Sequence, residues 1–305
     1  MQRFSTISEF LAFRRLPKPT HPLVYVFKVE PAEREQFSGR QSWYYDFYAI
    51  GIKKVPMGQG LKLKYGQQTY DFNEGKLSFI APGQVLSFSM EDHFKAIKQS
   101  GWMLLIHPDL LWNTPLAAQI KKYDFWDYSV NEALYLSEKE ETVLVNVLQN
   151  ILQESQANID QFSKSIIISQ LESFLNYADR FYHRQFLTRE KVNHQILERL
   201  DKHLHDHFKS EELMAQGLPT VAGLAEVLNL SPKYLSSLLK VLTGKNTQQH
   251  IHDKLIEKAK ERLSTTELSI SEIAYGLGFE HIQSFSKLFK TKTNLSPLEF
   301  RQTFN

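Results

Sequence analysis

One pattern is written twice in the last third of this 305-residue chain, and it constrains the fold more than any other feature. In its first occurrence, apolar residues at 221, 224, 225 and 228 mark a short helix, and Asn229-Leu230 marks a turn. Ser231-Pro232 then starts a second helix with Leu235, Leu238 and Leu239 on its buried face. Ser suits the N-cap because its hydroxyl takes a free N–H group, and Pro suits the first helical position, where no donor is needed. Asn229 tolerates the left-handed backbone that a tight turn requires. In the second occurrence, Ser269 and Glu272 form a capping box, followed by the apolar face Ile270, Ile273, Ala274 and Leu277, the turn Gly278-Phe279 and the second buried face Phe285, Leu288 and Phe289. Ala225 maps onto Ala274, 49 residues on, whereas Leu235, Leu239, Lys240 and Thr243 map onto Phe285, Phe289, Lys290 and Thr293, 50 residues on. The second turn is therefore one residue longer. A small alanine in each first helix lets the two helices cross closely, which is the helix-turn-helix arrangement, with its second helix free to enter a major groove. The units span about 220–242 and 269–291.

Between them, Ile251, Leu255, Ala259 and Leu263 recur every four residues on one helix, with Lys254, Lys258, Lys260 and Arg262 around it. A continuous helix of roughly 16 residues would hold the two units at a fixed separation. Ser296-Pro297 with Glu299 caps a last short helix ending near Phe304.

Composition narrows the classes. With 36 Lys+Arg against 34 Asp+Glu, the net charge of +2 does not by itself announce a nucleic-acid binder, so that reading rests on local pattern. The absence of cysteine excludes a disulfide scaffold, a Cys-ligated zinc finger, a thiol nucleophile and the DNA-repair methyl acceptors that resemble regulators, and it agrees with a reducing compartment. Glu9 splits the apolar residues of the leading stretch, which lacks a small-residue cleavage site, and runs such as Trp102 to Ile106 are far below membrane-spanning length. A cytoplasmic protein with no membrane partner is expected.

The N-terminal part reads differently. "LVYVFKV", "WYYDFYAI", "LKLKYG", "QTYDF", "KLSFI", "VLSFS" and "WMLLIH", between about 23 and 107, are strand-like and predict a small barrel or sandwich. The pattern changes after His107-Pro108. Ser137 and Glu140 cap a helix carrying Val143, Leu144, Val147, Leu148, Ile151 and Leu152. Next, Ile167, Leu171, Phe174, Ala178 and Phe181 make an a/d-like seam, which packing within its own domain and a homodimer interface would explain equally. A third helix begins near Glu190. His203 and His207, at i, i+4, have metal-compatible spacing but no evident third ligand, so neither a metal nor another cofactor is assigned. Tyr44, Phe47 and Tyr48 are candidates to line an effector pocket, although strand aromatics more often form plain core.

"LAEVLNLSPKYLSSLLKVLTGKNTQQHI" and "SISEIAYGLGFEHIQSFSKLFKTKTNLSPLEFR" resemble the AraC family DNA-binding domain, a likeness covering roughly 110 residues from Glu190 onward. The resemblance implies two helix-turn-helix units in successive major-groove segments of a promoter operator. It places DNA contacts on Lys233, Ser236 and Ser237 in the first unit and on His281, Ile282, Gln283, Ser284, Lys287 and Lys290 in the second. Asn294 stands where the family usually has Gly, and Lys287 where Arg is common. The first unit's leading helix also contains Gly223. Many members carry an N-terminal cupin-like barrel that binds a small effector, followed by dimerising helices. The expected architecture is thus α+β in two domains. Residues 1–188 would form a sensing and dimerisation domain with a cupin-like barrel or sandwich and helices at about 110–187, and 189–305 an all-α DNA-binding domain. The expected function is transcription regulation without enzymatic activity, with an effector and RNA polymerase as partners. The alternative, a cupin-type metal-dependent oxygenase or isomerase, would need clustered ligands, yet His21, His93 and His107 lie apart in sequence.

Overall fold

The aromatic and β-branched segments near the N-terminus fold as strands in a computed structural model of the chain, which describes residues 2–29, 39–54, 63–65, 68–70, 75–90, 100–129, 132–209 and 217–304. Two compact units result, Met1–Gln185 and Phe186–Asn305.

In the first unit, β2 (Val24–Val29), β4 (Tyr48–Lys54), β7 (Lys76–Ile80), β9 (Ser100–Ile106) and β10 (Leu134–Tyr135) form a five-stranded antiparallel sheet in the order β10-β7-β4-β9-β2. A second sheet joins β1 (Gln2–Phe4), β3 (Gly39–Tyr45) and β8 (Leu86–Met90) in the order β1-β3-β8, and β5 (Leu63–Tyr65) pairs with β6 (Gln68–Tyr70). Among the described residues these are three sheets, and no pairing closes them into a barrel.

"WYYDFYAI", expected as one strand, is two. The chain leaves one sheet at Tyr45 and enters the other at Tyr48, turned at a corner where the Asp46 N–H donates to the Phe4 carbonyl at 3.0 Å and Arg3 grips the Asp46 carboxylate at 2.7 Å. Sequence periodicity also missed β1 and the helix after it, α1 (Ile7–Phe13). Its signal was nonetheless legible in the capping box Thr6–Glu9. Phe4, Ile7, Phe10 and Leu11 are buried against Trp43, Tyr45, Phe47 and Leu86. After α2 (Leu116–Gln119) come α3 (Glu138–Gln156), with the expected Ser137–Glu140 box, and α4 (Ser163–Thr188).

The second unit consists of α5 (Glu190–Lys209), α6 (Val221–Leu228), α7 (Pro232–Thr243), α8 (Thr247–Thr265), α9 (Ile270–Gly276), α10 (Ile282–Thr293) and α11 (Pro297–Gln302). One core draws on all but the last of these: Leu200, Leu204 and Phe208 from α5 meet Leu224, Ala225, Leu235, Leu239, the α8 stripe Ile251, Leu255, Ala259 and Leu263, then Ile273, Ala274, Phe285 and Phe289. Phe300 of α11 packs on it from outside.

Candidate nucleic-acid interface

The two repeats are built by the same local bonds. At the end of α6, Asn229 adopts φ 57°, ψ 42°, its N–H donating to the Glu226 carbonyl at 3.0 Å and the Leu230 N–H to the Ala225 carbonyl at 2.8 Å. After α9, Gly278 has φ 87°, its N–H donating to the Tyr275 carbonyl at 2.9 Å and the Phe279 N–H to the Ala274 carbonyl at 3.1 Å. Both are Schellman closures, in which a left-handed residue satisfies orphan helix carbonyls. The chain then enters α7 through Ser231, whose hydroxyl accepts from the Tyr234 N–H, but enters α10 through His281, which makes no side-chain cap. Beyond the recognition helices the repeat continues. The Thr243 hydroxyl donates to the Leu239 carbonyl and the Thr293 hydroxyl to the Phe289 carbonyl, each at 2.8 Å. Gly244 and Asn294 are both left-handed, and the capping boxes Asn246–Gln249 and Ser296–Glu299 open α8 and α11. The last short helix is therefore the counterpart of the first turn of α8.

Burial decides which face of each recognition helix is presented. On α10, Phe285 and Phe289 are fully buried, and at about 100° per residue Gln283 and Lys287 come out on the opposite side. His281, Gln283, Ser284, Lys287 and Lys290 are exposed, whereas Ile282 is half-buried and packs on the core. On α7, Lys233 is exposed and Ser236 and Ser237 are half-buried. The Ser236 hydroxyl lies 3.0 Å from that of Thr247. Lys240, exposed and 50 residues before Lys290, belongs with this surface. The repeat shift already pointed to it, but it was absent from the expected contacts.

The cations around α8 are engaged within the unit. Lys254 pairs with Glu257 at 2.9 Å and Lys258 with Glu261 at 2.8 Å, the Arg262 guanidinium donates to the Gly276 carbonyl at 2.9 Å, and Lys260 sits 5.8 Å from the Phe300 ring centre.

The other expected residues fall elsewhere. Tyr44 is half-buried, on the strand face opposite Trp43 and Tyr45. Phe47 is fully buried and stacks on Tyr45 at 5.0 Å, and Tyr48 lies against Trp126 at 4.7 Å. Ile167, Leu171, Phe174, Ala178 and Phe181 are 0–8% exposed in the single chain, so a second chain could reach them only by opening that core. His21 and His107 each accept a backbone N–H through Nδ1, from Leu23 and Asp109, and burial holds the His21 pKa below its usual value. His93 lies outside the described residues. His203 and His207 have ring centres 6.5 Å apart, and His207 Nε2 reaches the Gly217 carbonyl at 3.1 Å. Among the described residues, no group of three or more His, Asp or Glu side chains is arranged to hold a metal, and no helix is long and apolar enough to cross a membrane.

Two helix-turn-helix units on one core, each presenting a polar second helix, define a double helix-turn-helix domain of the DNA-binding class. Residues 224–303 match the family model described as "Helix-turn-helix domain". The chain is 25% identical over 268 residues to the uncharacterized HTH-type transcriptional regulator YfiF of Bacillus subtilis, a match covering 85% of this chain and 78% of that one. It is 34% identical over 84 residues to YobQ of the same organism, also an uncharacterized HTH-type transcriptional regulator, covering 28% of this chain but 35% of the relative. Among solved structures it is similar to the C-terminal domain of AraT, a response regulator from Geobacillus stearothermophilus, with 34% identity and a TM-score of 0.31 over 35% of this chain and 84% of that one. The chain carries an AraC-type domain at its C-terminal end and is a DNA-binding transcription regulator of that type.

Proposed function

We propose that this regulator reads its operator with α7 and α10 lying in successive major-groove segments on one face of the duplex. The observation that carries this reading is the repetition of the Schellman closure, the threonine back-bond and the following capping box in the two units joined by one continuous helix. Lys233, Ser236 and Ser237 serve the first segment, joined by Lys240. His281, Ile282, Gln283, Ser284, Lys287 and Lys290 serve the second. Gln283 suits bidentate adenine recognition, Lys287 suits guanine or phosphate, and the apolar edge of Ile282 suits a thymine methyl. Ser236, already bonded to Thr247, is left with a minor role.

The test is selection of bound sites from random DNA, followed by substitution of each base pair. Gln283→Ala should relax the preference at one position and cost about 1–3 kcal/mol there. Discrimination retained at every position in both Gln283→Ala and Lys287→Ala would remove the second unit from base reading.

The N-terminal unit, in this reading, is the sensing half, with its sheets as the cupin-like wall of a site for a small effector. In support, Trp126 Nε1 is a buried donor that has no hydrogen-bond partner among the described residues, and it belongs to the ring packed on Tyr48. A buried unmet N–H costs about 1–3 kcal/mol, which an acceptor on a bound molecule or water would relieve. A ligand screen by thermal shift, repeated on Trp126→Phe, tests it: an effector whose stabilisation is unaffected by that change sits elsewhere. Homodimer formation and contact with RNA polymerase belong to the same reading and rest on the family resemblance.

A further inference from the structure

The loop that ends the first helix-turn-helix unit and the recognition helix of the second are tied to one carboxylate. Asp253, on the second turn of α8, accepts from Lys245 Nζ at 2.7 Å through one oxygen and from Lys292 Nζ at 2.8 Å through the other. Lys245 lies between α7 and α8, and Lys292 is on the last turn of α10. Lys292 is nine residues from Gln283, which at about 100° per residue puts it about 180° around α10 from that exposed side chain. The lysine therefore grips the recognition helix from the side turned away from the proposed base contacts.

Charge around the pair makes the carboxylate the deciding group. Burial holds His252 below its ordinary pKa, helped by the charge of Lys292, and its Nε2 meets the Gln248 side chain at 2.8 Å. His250 is likewise lowered, chiefly by burial. At neutral pH the two ammonium groups thus share the Asp253 carboxylate, while Asp201, Lys202 and the Lys254–Glu257 pair line the same depression. The two ammonium groups sit on opposite oxygens of that carboxylate, within about a Debye length of each other at physiological salt. Removing the negative charge turns an attraction between loop and helix into a repulsion. At the far end of α8, the hydrogen bond from Arg262 to Gly276 ties the helix to α9, so Asp253 and Arg262 fasten the second unit to α8 at two separate places.

Resting on the operator reading proposed above, we infer that Asp253 is a positioning residue that sets α10 in register with α7 on the DNA through Lys245 and Lys292. Exposed ion pairs are individually weak, and Asp253 is 36% exposed, so the effect is bounded. Asp253→Asn should lower discrimination at the second subsite, measured as the affinity ratio of the selected site to one scrambled only there, by about three- to tenfold. Discrimination at the first subsite and the salt dependence of binding should stay unchanged, because neither lysine is released toward the groove.

The experiment uses the full-length protein, with Lys292→Gln as a second variant that breaks the tie without touching α8, and Asp253→Glu as the conservative replacement. Support is loss at the second subsite in both Asp253→Asn and Lys292→Gln, with recovery in Asp253→Glu. Three outcomes overturn the inference: unchanged discrimination at both subsites, equal loss at both subsites with a lowered melting temperature, or a salt dependence steepened by about one or two counterions with discrimination intact. A parent protein that discriminates at neither subsite would instead remove the operator reading itself.

Discussion

Asn229 and Gly278 close the first helix of each repeat with the same pair of backbone bonds, yet only one of the two positions has room for a side chain. A Cβ on Gly278 would lie 3.0 Å from the Gly217 carbonyl carbon and 3.2 Å from the Leu218 nitrogen, both backbone atoms. Asn229 is exposed at the surface. Asn229→Gly is therefore expected to be nearly neutral, and Asn229→Ala to cost about 1 kcal/mol for the left-handed backbone alone. Gly278→Ala should cost about 2 kcal/mol or more, because a backbone clash adds to the same term. Thermal unfolding of the three variants checks the order; equal losses for the two alanines would show that the 217–218 segment yields.

Gly223 occupies the third position of α6, where Thr220 already caps the helix by accepting from its N–H at 3.0 Å. In the second repeat that position is Glu272, whose carboxylate returns a bond to the Ser269 N–H at 2.7 Å. Gly223→Glu should complete the missing capping box and remove a flexible glycine, a gain of about 0.5–1 kcal/mol or a few degrees in melting temperature. A Cβ there would come 3.2 Å from the Thr220 hydroxyl, so a fall in melting temperature would mean that the cap has been pushed aside.

What could be read from the sequence was what local chemistry dictates. Caps, left-handed turns and the buried stripes of α7, α8 and α10 depend on residues a few positions apart, and Ser269–Glu272 and Asn229 stand as expected. The break between β3 and β4 depends on Arg3 meeting Asp46, 43 residues away, which no alternation of residues records. The tie from Lys292 to Asp253 spans 39 residues and was equally hidden. The α4 seam was ambiguous for another reason: an apolar stripe has the same period whether its own chain or another covers it.

That ambiguity has a direct test. Leu171 and Phe174 are 1% and 0% exposed, so replacing both with Asp should unfold the N-terminal unit, at more than about 4 kcal/mol, and should not release folded monomers. Phe162 and Ile166 are exposed, and charged residues there should leave the helical signal intact. Sedimentation decides which pair matters for association. A folded, monomeric Leu171→Asp/Phe174→Asp protein would return the seam to the dimer interface.

Acid should weaken the C-terminal unit in a defined direction. Hydrogen bonds from Ser269 and Ser296 hold the Glu272 and Glu299 carboxyls below their ordinary pKa. Asp253 is also lowered: burial pushes it up, but Lys245 and Lys292 prevail. A group whose folded pKa is depressed contributes stability above its unfolded pKa and loses it as the pH falls through the folded one. A fragment from Glu190 onward is expected to fold, since Leu200, Leu204 and Phe208 of α5 lie in its core. Its urea midpoint should begin to fall below about pH 6.5, where the unfolded chain protonates His250 and His252 before the folded unit does, and fall further below about pH 4 as the carboxyls titrate. A midpoint that rises on acidification would contradict these assignments.

Spacing on DNA is the strictest test of the double reader. The 19 residues of α8 span about 28 Å, and with the recognition helices at its ends this matches two major-groove entries one turn, about 34 Å, apart. The helix is tied at its start through Lys245 and Asp253 and near its end through Arg262 and Gly276, so it can neither bend far nor stretch. Inserting about five base pairs between the subsites turns the second groove to the opposite face, where α10 loses its contacts while α7 keeps its own. Inserting a full turn restores the face but moves the groove about 34 Å further, beyond the reach of a rigid spacer. Specific affinity should therefore collapse for both insertions in a fluorescence titration at one fixed salt concentration. Equal affinity for parent, half-turn and full-turn sites would leave one unit as the reader and the other as packing.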